Sequence, residues 1–431
     1  MSVITPVRDA DREQAVFRKV VLRIVPFLML CYVISYLDRV NVGFAKLQMS
    51  SDLGFSEAAF GLGAGLFFIG YFFFEVPSNM ILQKVGAKVW IARIMITWGI
   101  ISGSFMFVNN EAMFYALRFL LGVAEAGFYP GVIFYCTLWF PAHRRARVIA
   151  MFMSAIPLAG IFGNPLSGWI MSTFDEVGGL GGWQWMFLIE AIPAILVGVW
   201  TLFYLDSSVR KAKWLTEDEK DIIEAAVAED ASHQTHHRLR DAFREPKVWL
   251  MCLIYFCFVM GQYALTFWMP TFVKSTGISS ELTIGVLSAI PFLAALVAMN
   301  LFGHSADRRR ERRWHLIIPA LMGVVGFSMS AVFTGSTVLA LIALSIAAAG
   351  VLTCAPLFWS LPTAFLGGSA AAAGIAVVNS VGNLAGFVSP YMIGAVKDAT
   401  GSTQLPMYIL SGILLLGALC VYSTKKDVVN R

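Results

Sequence analysis

Residues 158–168 have the sequence LAGIFGNPLSG, and residues 384–394 have the sequence LAGFVSPYMIG. Both stretches combine Leu-Ala-Gly with a later proline and a final glycine, and both lie in long apolar segments. Basic residues repeat at a similar offset of about 225 residues, since Lys84 follows the second apolar segment and Arg308 follows the eighth. Agreement at several places indicates an internal duplication, in which two halves share one architecture.

The composition is that of a polytopic membrane protein. Of the 431 residues, 58% are hydrophobic and 14% are charged. A helix needs about 20 apolar residues to cross the hydrocarbon layer, and runs of this length predict twelve membrane-spanning helices. The runs begin near residues 20, 58, 89, 112, 148, 184, 248, 282, 315, 338, 369 and 405. We therefore expect an all-α integral membrane protein built from two six-helix bundles.

The order of these runs divides the chain into two bundles joined by one long polar loop. Within that loop, Thr216 and Glu219 have the spacing of a capping box, which predicts a short surface helix. We expect a cytoplasmic N-terminal tail at residues 1–19, a six-helix bundle at 20–205, a cytoplasmic linker at 206–247, a second six-helix bundle at 248–423 and a C-terminal tail at 424–431.

Lysine and arginine residues predict the orientation, because cytoplasmic loops retain positive charge. Almost all of them fall on one side of the predicted bundles, which carries both termini and is therefore expected to be cytoplasmic. Three lysines, Lys46, Lys274 and Lys397, fall on the other side. Attraction of the basic rim to anionic lipid accounts for the formal charge of +5, so no nucleic-acid partner is expected.

Cysteine and histidine patterns argue against metal sites and cofactors. The six cysteines lie in predicted spans without Cys-x-x-Cys spacing, which favours packing as small apolar side chains. His233, His236 and His237 cluster in the linker without acidic or cysteine companions at ligand spacing, so we expect solvated chain there. The expected partners are the lipid bilayer and a small-molecule substrate, and the protein is expected to act as a monomer.

Six charged residues fall inside the predicted spans, all of them in the first half. They are Asp38, Arg39, Glu75, Arg118, Glu125 and Glu190. A guanidinium near the bilayer centre costs roughly 3 kcal/mol, so it requires a partner, a water-filled cavity or an anionic ligand. The second half offers only neutral hydrogen-bonding groups in its spans. This distribution favours an anionic substrate over a cationic drug.

Asp38 and Glu125 are the predicted proton carriers, and Arg39 and Arg118 are the predicted carboxylate ligands. Asp38, Arg39 and Arg118 lie roughly 10 to 12 Å below the outer surface, at about 1.5 Å per residue. Neighbours on a helix diverge by about 100°, so Asp38 can pair with Arg118 while Arg39 faces the substrate, or the reverse. Glu125 follows Arg118 by seven residues and lies near the midplane among small residues, where restricted water access favours a protonated carboxyl.

A structural role in buried salt bridges is the alternative for all six charges, since ion pairs also position helices. We favour that role for Glu75 and Glu190, because both lie close to a span end and can reach backbone or loop partners. The other four charges lie in two helices at compatible depths and exceed what helix positioning requires. A functional role is therefore favoured for them.

Neutral polar and aromatic residues of the spans are candidates for the rest of the substrate site. They are Tyr71, Tyr263, Trp268, Trp359, Asn379 and Asn383. The two asparagines are four residues apart and share one helix face. Tryptophan and tyrosine, by contrast, also serve as anchors at membrane interfaces. The asparagine pair is therefore the more informative signal.

Several stretches resemble the anion:cation symporter family of the major facilitator superfamily. They are YLDRVNVGFA at 36–45, GLFFIGYFFFEVPSN at 65–79, RFLLGVAEAGFYPG at 118–131, FWSLPTAFL at 358–366 and NSVGNLAGFVSP at 379–390. In proton-coupled members, an Asp-Arg pair in the first helix and an Arg and a Glu in the fourth take up protons and bind the carboxylate. The resemblance implies these roles for Asp38, Arg39, Arg118 and Glu125. It also implies substrate contacts for Tyr71 and for Asn379 or Asn383.

The loop GHSADRRR at 303–310 resembles the cytoplasmic signature of the same superfamily. It implies gating roles for Asp307 and Arg308, and for Lys84 at the equivalent place in the first half. That first copy departs from the pattern, because Asn79 and Gln83 occupy the Gly and Asp positions. Gating on that side is therefore expected to be looser or to use Glu75 instead.

Charge pattern and resemblance together predict a proton-coupled importer, not an enzyme, in the bacterial inner membrane. Bacterial members of the family import sugar acids, tartrate, phthalate and hydroxyphenylacetate with protons. The expected substrate is a small organic carboxylate carried by alternating access, with protons as the coupling ion and no cofactor. Two alternatives stay open: an anion exchanger or uniporter without proton coupling, and a transceptor whose central loop signals to a cytoplasmic partner.

Overall fold

The computed structural model of the protein describes residues 6–231, 245–365 and 371–424. The histidine cluster of the linker and residues 425–431 of the predicted C-terminal tail lie outside these ranges. The first half contains α1 Pro6–Leu53, α2 Glu57–Val85, α3 Ala87–Ser104, α4 Glu111–Glu125, α5 Phe128–Thr137, α6 Ala142–Met153, α7 Ala155–Phe174 and α8 Gly182–Tyr204. The linker carries α9 Glu217–Ala231. The second half contains α10 Pro246–Lys274, α11 Glu281–Arg309, α12 Arg313–Val332, α13 Thr337–Phe358, α14 Ser360–Phe365, α15 Ala371–Asn383, α16 Ala385–Thr400 and α17 Gln404–Tyr422.

Ten segments of the described ranges are long and apolar enough to cross a membrane. The predicted fifth and eleventh spans are not among them. Each is instead divided into two helices, with α6 ending before Ser154 and α15 ending before Leu384. Irregular backbone is tolerated at membrane depth where it lines a cavity. Met153 and Asn383, next to the two breaks, do line the central cavity.

The duplication seen in the sequence is also present in the packing of helices from opposite halves. A Cβ atom at Gly61 on α2 would lie 2.4 Å from the carbonyl oxygen of Pro390 on α16. A Cβ atom at Gly285 on α11 would likewise lie 2.4 Å from the carbonyl oxygen of Asn164 on α7. Gly285 follows Gly61 by nearly the offset that separates the two Leu-Ala-Gly stretches. The halves therefore meet through two equivalent helix pairs, which glycine allows to touch.

The face that carries Lys46, Lys274 and Lys397, called here the lysine face, is where polar contacts join the halves. Glu57 at the start of α2 pairs with Lys46 at 2.6 Å and with Lys397 of the second half at 2.5 Å. Asp398 accepts hydrogen bonds from the first two N–H groups of α2, at 3.1 and 2.7 Å. Lys274 donates to a carbonyl oxygen of α1 at 3.1 Å. Three lysines far apart in the sequence thus converge and close this face.

The linker helix α9 packs against the first half through ion pairs with α1. Lys19 donates to Glu219 at 2.9 Å, and Arg12 pairs with Asp218 at 2.8 Å. The predicted capping box is confirmed, because Thr216 N–H donates to Glu219 at 2.9 Å and Glu219 N–H donates to the Thr216 hydroxyl at 3.3 Å. The start of the linker helix is therefore tied both to its own cap and to the bundle.

Candidate functional site

A cavity lies between the two halves, and helices of both contribute to its wall. The space between its walls, counted together with its opening to solvent, is about 870 Å³. Among the predicted substrate residues, those that line the cavity are Arg39, Tyr71, Tyr263, Trp359, Asn379 and Asn383. Arg39 is the only charged side chain in this wall within the described part of the chain. The structure thus gathers predicted residues from α1, α2, α10 and α15 around one space.

Several lining residues were not anticipated from the sequence. Gln262 lines the cavity, as do the tyrosines Tyr32, Tyr36, Tyr129 and Tyr255. The spacing of Tyr32 and Tyr36, four residues apart on the helix of Arg39, was a usable signal because such residues share one face. The aromatic wall is therefore more extensive than the sequence analysis predicts.

Trp268 does not line the cavity, although the sequence suggested it as a candidate. Its ring is fully buried at the lysine face, 4.6 Å from the ammonium of Lys46 and edge-on to Phe60 at 6.0 Å between ring centroids. Trp268 lies on α10, six residues before the end of that helix. Its position near the helix end excludes it from the midplane site.

Arg39 forms an ion pair with Glu125 at hydrogen-bond contact, between Nη2 and Oε1. The Ser35 hydroxyl, one turn earlier on α1, donates to the same Oε1 at 2.8 Å. The guanidinium also lies 4.8 Å from the Tyr36 ring and 5.2 Å from the Phe67 ring. Because Glu125 does not line the cavity itself, it holds Arg39 from behind the wall.

Glu125 is positioned by a helix break that immediately follows it. The helix α4 ends at Glu125, and Gly127 adopts φ +90°, a left-handed conformation that favours glycine. The Ser78 hydroxyl donates to the carbonyl oxygen of Ala126 at 2.6 Å, so the freed backbone acceptor is satisfied. A Cβ atom at Gly127 would lie 2.2 Å from that hydroxyl oxygen. The carboxyl is thereby held at a defined point in mid-bundle.

Arg118 does not line the cavity, and its partners differ from both expected pairings. It donates to the backbone carbonyl oxygens of Gly63 at 3.3 Å and Ala64 at 3.0 Å. Within the described residues, no carboxylate lies within ion-pair distance of it. The rings of Phe67 and Phe267 lie 5.3 and 5.8 Å from its guanidinium. Since Phe67 also contacts Arg39, the two arginines share one aromatic neighbour.

Asp38 lies away from the cavity wall, inside the first half. Its Oδ1 accepts hydrogen bonds from the Ser102 hydroxyl at 2.8 Å and from Asn41 at 3.3 Å. Glu190 is also buried, and its Oε1 accepts from the Ser167 hydroxyl at 2.7 Å. The position of Glu190 near a span end predicts a loop or backbone partner. In the structure its partner is instead a side chain in the bundle interior. Glu75, in contrast, is partly exposed on α2.

In the described part of the chain, none of the ion pairs or hydrogen bonds seen for the predicted gating residues joins the two halves. Asp307 pairs with Arg312 of its own half at 2.6 Å. Lys84 and Arg308 are exposed. Their gating role therefore stays a prediction, which concerns a conformation other than the one described.

Comparison with known proteins identifies the family. The Major Facilitator Superfamily model matches residues 28–390. A putative metabolite transport protein, NicT of Pseudomonas putida, is 50% identical over 420 residues, which cover 97% of this chain and 96% of the relative. A putative tartrate transporter of Agrobacterium vitis is 51% identical over 411 residues, covering 95% and 91% of the two chains.

A solved structure of a D-xylose-proton symporter shares the fold. It aligns with a TM-score of 0.76 and 16% identity, over 95% of this chain and 99% of its own. Identity this low shows the architecture alone. Together with the family match and the relatives at half identity, it leads to one conclusion: the chain belongs to the major facilitator superfamily, as a membrane transporter and not an enzyme.

Proposed function

We propose that this transporter imports a small organic carboxylate together with protons, by alternating access across the bacterial inner membrane. The observation that supports this most directly is the ion pair of Arg39 with Glu125 at the cavity wall. A carboxylate substrate and Glu125 compete for the same guanidinium. When Glu125 takes up a proton, it no longer competes as an anion, and Arg39 becomes available to the substrate. Proton loading and anion loading are thereby linked through one side chain.

The proposed topology has twelve spans and both termini in the cytoplasm. The pair α6–α7 forms the fifth span and the pair α15–α16 forms the eleventh, each with a break beside the cavity. The lysine face then lies outside, because the other side carries nearly all of the lysine and arginine. In this orientation the described conformation is closed to the outside by Glu57, Lys397 and Asp398. Opening that face requires these contacts between the halves to separate.

The chemistry of the wall supports a ring-bearing monocarboxylate. Of the residues that the structure describes, Arg39 is the single cation that faces the cavity, whereas a dicarboxylate would be matched by two. Tyrosine, phenylalanine and tryptophan rings make up much of the remaining wall, and planar rings stack on such side chains. Gln262, Asn379 and Asn383 supply neutral hydrogen bonds for other substituents. Tartrate, named for a relative, is therefore a necessary comparison and not the preferred substrate.

Asp38 and Arg118 have a proposed role behind the wall. Arg118 is buried without a carboxylate in contact; Glu125 acts on it electrostatically most strongly, and Asp38 acts on it as well. Asp38 is the proposed second proton carrier, because its charge determines how well the positive charge of Arg118 is balanced. Asp307, Arg308 and Lys84 are proposed to meet helix ends when the cytoplasmic side closes.

Purified protein in proteoliposomes provides the test of this function. Uptake of radiolabelled benzoate, 4-hydroxyphenylacetate, galactonate and tartrate is measured with an inside-alkaline pH gradient or without one. We expect concentrative uptake of an aromatic monocarboxylate that requires the gradient. Uptake indifferent to the gradient would indicate the exchanger or uniporter, and preference for tartrate would contradict the ring-bearing assignment.

Arg39→Lys tests the binding site directly. The substitution keeps the charge but removes the planar fork that holds a carboxylate by two hydrogen bonds. We expect loss of carboxylate binding in a thermal-shift titration, with the protein still folded. Arg23→Lys is the matched control on the same helix, because Arg23 lies 5.0 Å from the rings of Tyr204 and Trp214 and not at the cavity. Unchanged affinity in Arg39→Lys would exclude Arg39 as the anchor.

A further inference from the structure

Two buried carboxyl groups lie close together inside the first half, outside the cavity. Asp38 on α1 and Glu190 on α8 are each 3% exposed. The side chain of Asn41 connects them, because it donates to Asp38 Oδ1 at 3.3 Å and also interacts with the Glu190 carboxyl. Asn41 is itself fully buried. The three residues form a polar cluster, called here the Asp38–Asn41–Glu190 cluster.

Within the ranges that the structure describes, the cation near this cluster that has no ion pair of its own is Arg118. From α3, Ser102 donates to Asp38 at 2.8 Å, and from α7, Ser167 donates to Glu190 at 2.7 Å. From α4, Arg118 is attracted first to Glu125, which Arg39 already pairs, and then to Asp38, while Glu125 acts on Asp38 with the same sign of charge. Among the described residues, the only charged group recorded as acting on Glu190 is Asp38, which has the same sign.

Three oxygen atoms of the cluster have no donor at hydrogen-bond geometry within the described residues, although the Trp98 indole also acts on the Asp38 carboxyl. They are Asp38 Oδ2, Asn41 Oδ1 and Glu190 Oε2. All three are acceptors when both acids are ionised, so no rearrangement among them produces a hydrogen bond. A buried acceptor without a donor costs about 1 to 3 kcal/mol. A proton on Glu190 would turn one of these acceptors into a donor.

The charge balance of the bundle interior leads to the same conclusion. Two buried arginines, Arg39 and Arg118, accompany three buried carboxyl groups, those of Asp38, Glu125 and Glu190. With all five ionised, one negative charge would remain uncompensated away from water, which is strongly unfavourable. One bound proton makes the set neutral. Glu190 is the acid without a recorded cation, so the proton belongs there.

We propose that Glu190 is a resident protonated acid that donates a hydrogen bond through Asn41 toward Asp38, which leaves Asp38 as the ionised counter-charge of Arg118. Glu190 is a positioning residue in this arrangement, because it acts on transport only through Asp38. The assignment rests on the proposed function for its role in proton coupling. The protonated state of Glu190 itself does not depend on transport.

Infrared spectroscopy of the purified full-length protein tests the protonated state. A protonated carboxyl absorbs at a carbonyl frequency distinct from that of a carboxylate. We expect the wild type at neutral pH to show one such band that Glu190→Gln removes. Glu111→Gln, which changes an exposed carboxyl at the start of α4, is the control and should keep the band. A spectrum in which Glu190→Gln removes only carboxylate absorption would overturn the proposal.

Uptake of benzoate or tartrate, whichever the wild type carries, tests the positioning role. Glu190→Gln keeps a neutral group that can donate a hydrogen bond, so its rate should stay within about threefold of wild type, whereas Glu190→Ala should lose roughly tenfold or more. Equal losses in both variants would show that a negative charge is needed and would overturn the proposal. A requirement for Na⁺ that Glu190→Gln abolishes would also overturn it, because the cluster would then hold a metal cation.

The two tests separate failure of this inference from failure of the proposed function. If uptake ignores the pH gradient but the infrared band is present and assigned to Glu190, proton coupling is wrong and the resident proton stands. If uptake follows the gradient but the band is absent, the coupling stands and Glu190 is ionised.

Discussion

Replacing Glu125 with glutamine is the most informative perturbation, because glutamine mimics a permanently protonated carboxyl. In the structure Glu125 accepts from both Arg39 and Ser35, so an anionic substrate must displace a charged acceptor from the guanidinium. A hydrogen bond to a charged group contributes about 1.5 to 3 kcal/mol. Removing this competition should therefore strengthen carboxylate binding by about tenfold or more, relative to wild-type protein with an ionised Glu125. Under conditions that protonate Glu125, the variant and the wild type should bind alike.

The assay combines binding and transport on the same preparation. Affinity for the transported carboxylate is measured between pH 5.5 and 8.5, and we expect the dependence on pH to flatten in Glu125→Gln. Exchange of labelled for unlabelled substrate should continue, while concentrative uptake driven by a pH gradient should fail, because position 125 can release no proton. Glu111→Gln on the same helix is the control. A variant that still concentrates substrate would refute the reasoning and make Asp38 the first candidate for the coupling proton.

Three further predictions concern the closed face, the linker and charge movement. Gly61→Ala places a methyl group against a backbone carbonyl of the other half. We expect it to destabilise the closed conformation by about 1 to 3 kcal/mol and to slow uptake. Gly412→Ala is the control and should behave like wild type, because no atom lies within 4 Å of its added Cβ. The hydrogen bond from Lys19 lowers the pKa of Glu219 below its usual 4.5. This contact therefore stabilises the linker above that pH and is lost as the pH falls through the lowered pKa. Limited proteolysis of the linker should increase at that low pH, and Lys19→Met should abolish this pH dependence. If both Asp38 and Glu125 load protons, uptake of a monoanion carries one net positive charge inward. An inside-negative potential set by potassium and valinomycin should then accelerate uptake, since moving one charge is worth about 2.3 kcal/mol per 100 mV. Uptake that does not respond to the potential would indicate a single coupling proton.

The helices and their boundaries were largely predictable, but the breaks within them were not. Apolar runs predicted most spans, because span length depends only on membrane thickness. The end of α4 after Glu125 depends on a different kind of information. Gly127 permits the break, yet the carbonyl oxygen that it frees is satisfied by Ser78, which lies on another helix. A local sequence pattern contains no record of such a partner.

The intramembrane charges were predictable as a set, but their pairing was not. The predicted depth of the charged side chains, and the free-energy cost of placing charge in the bilayer, identified Arg39, Arg118 and Glu125 from the sequence. The sequence left open which of Asp38 and Arg39 turns toward Arg118 and which turns toward the substrate. The structure instead pairs Arg39 with Glu125 and directs Arg118 to backbone carbonyl oxygens. Ion pairs form only within about 4 Å, so a small rotation of one helix changes the partner.

The sequence alone determined that this protein spans a membrane, that its two halves are duplicated, that it resembles an anion-transporting family and that the charges inside its predicted spans are confined to the first half. These properties follow from composition and order along the chain, which packing cannot alter. Only the tertiary structure decided that Arg39 alone of the charged residues it describes faces the cavity, that Lys46 and Lys397 meet at Glu57, and that Glu190 lies beside Asp38. The physical reason is that each of these relations joins residues on different helices, and side-chain packing sets the rotation and separation of those helices.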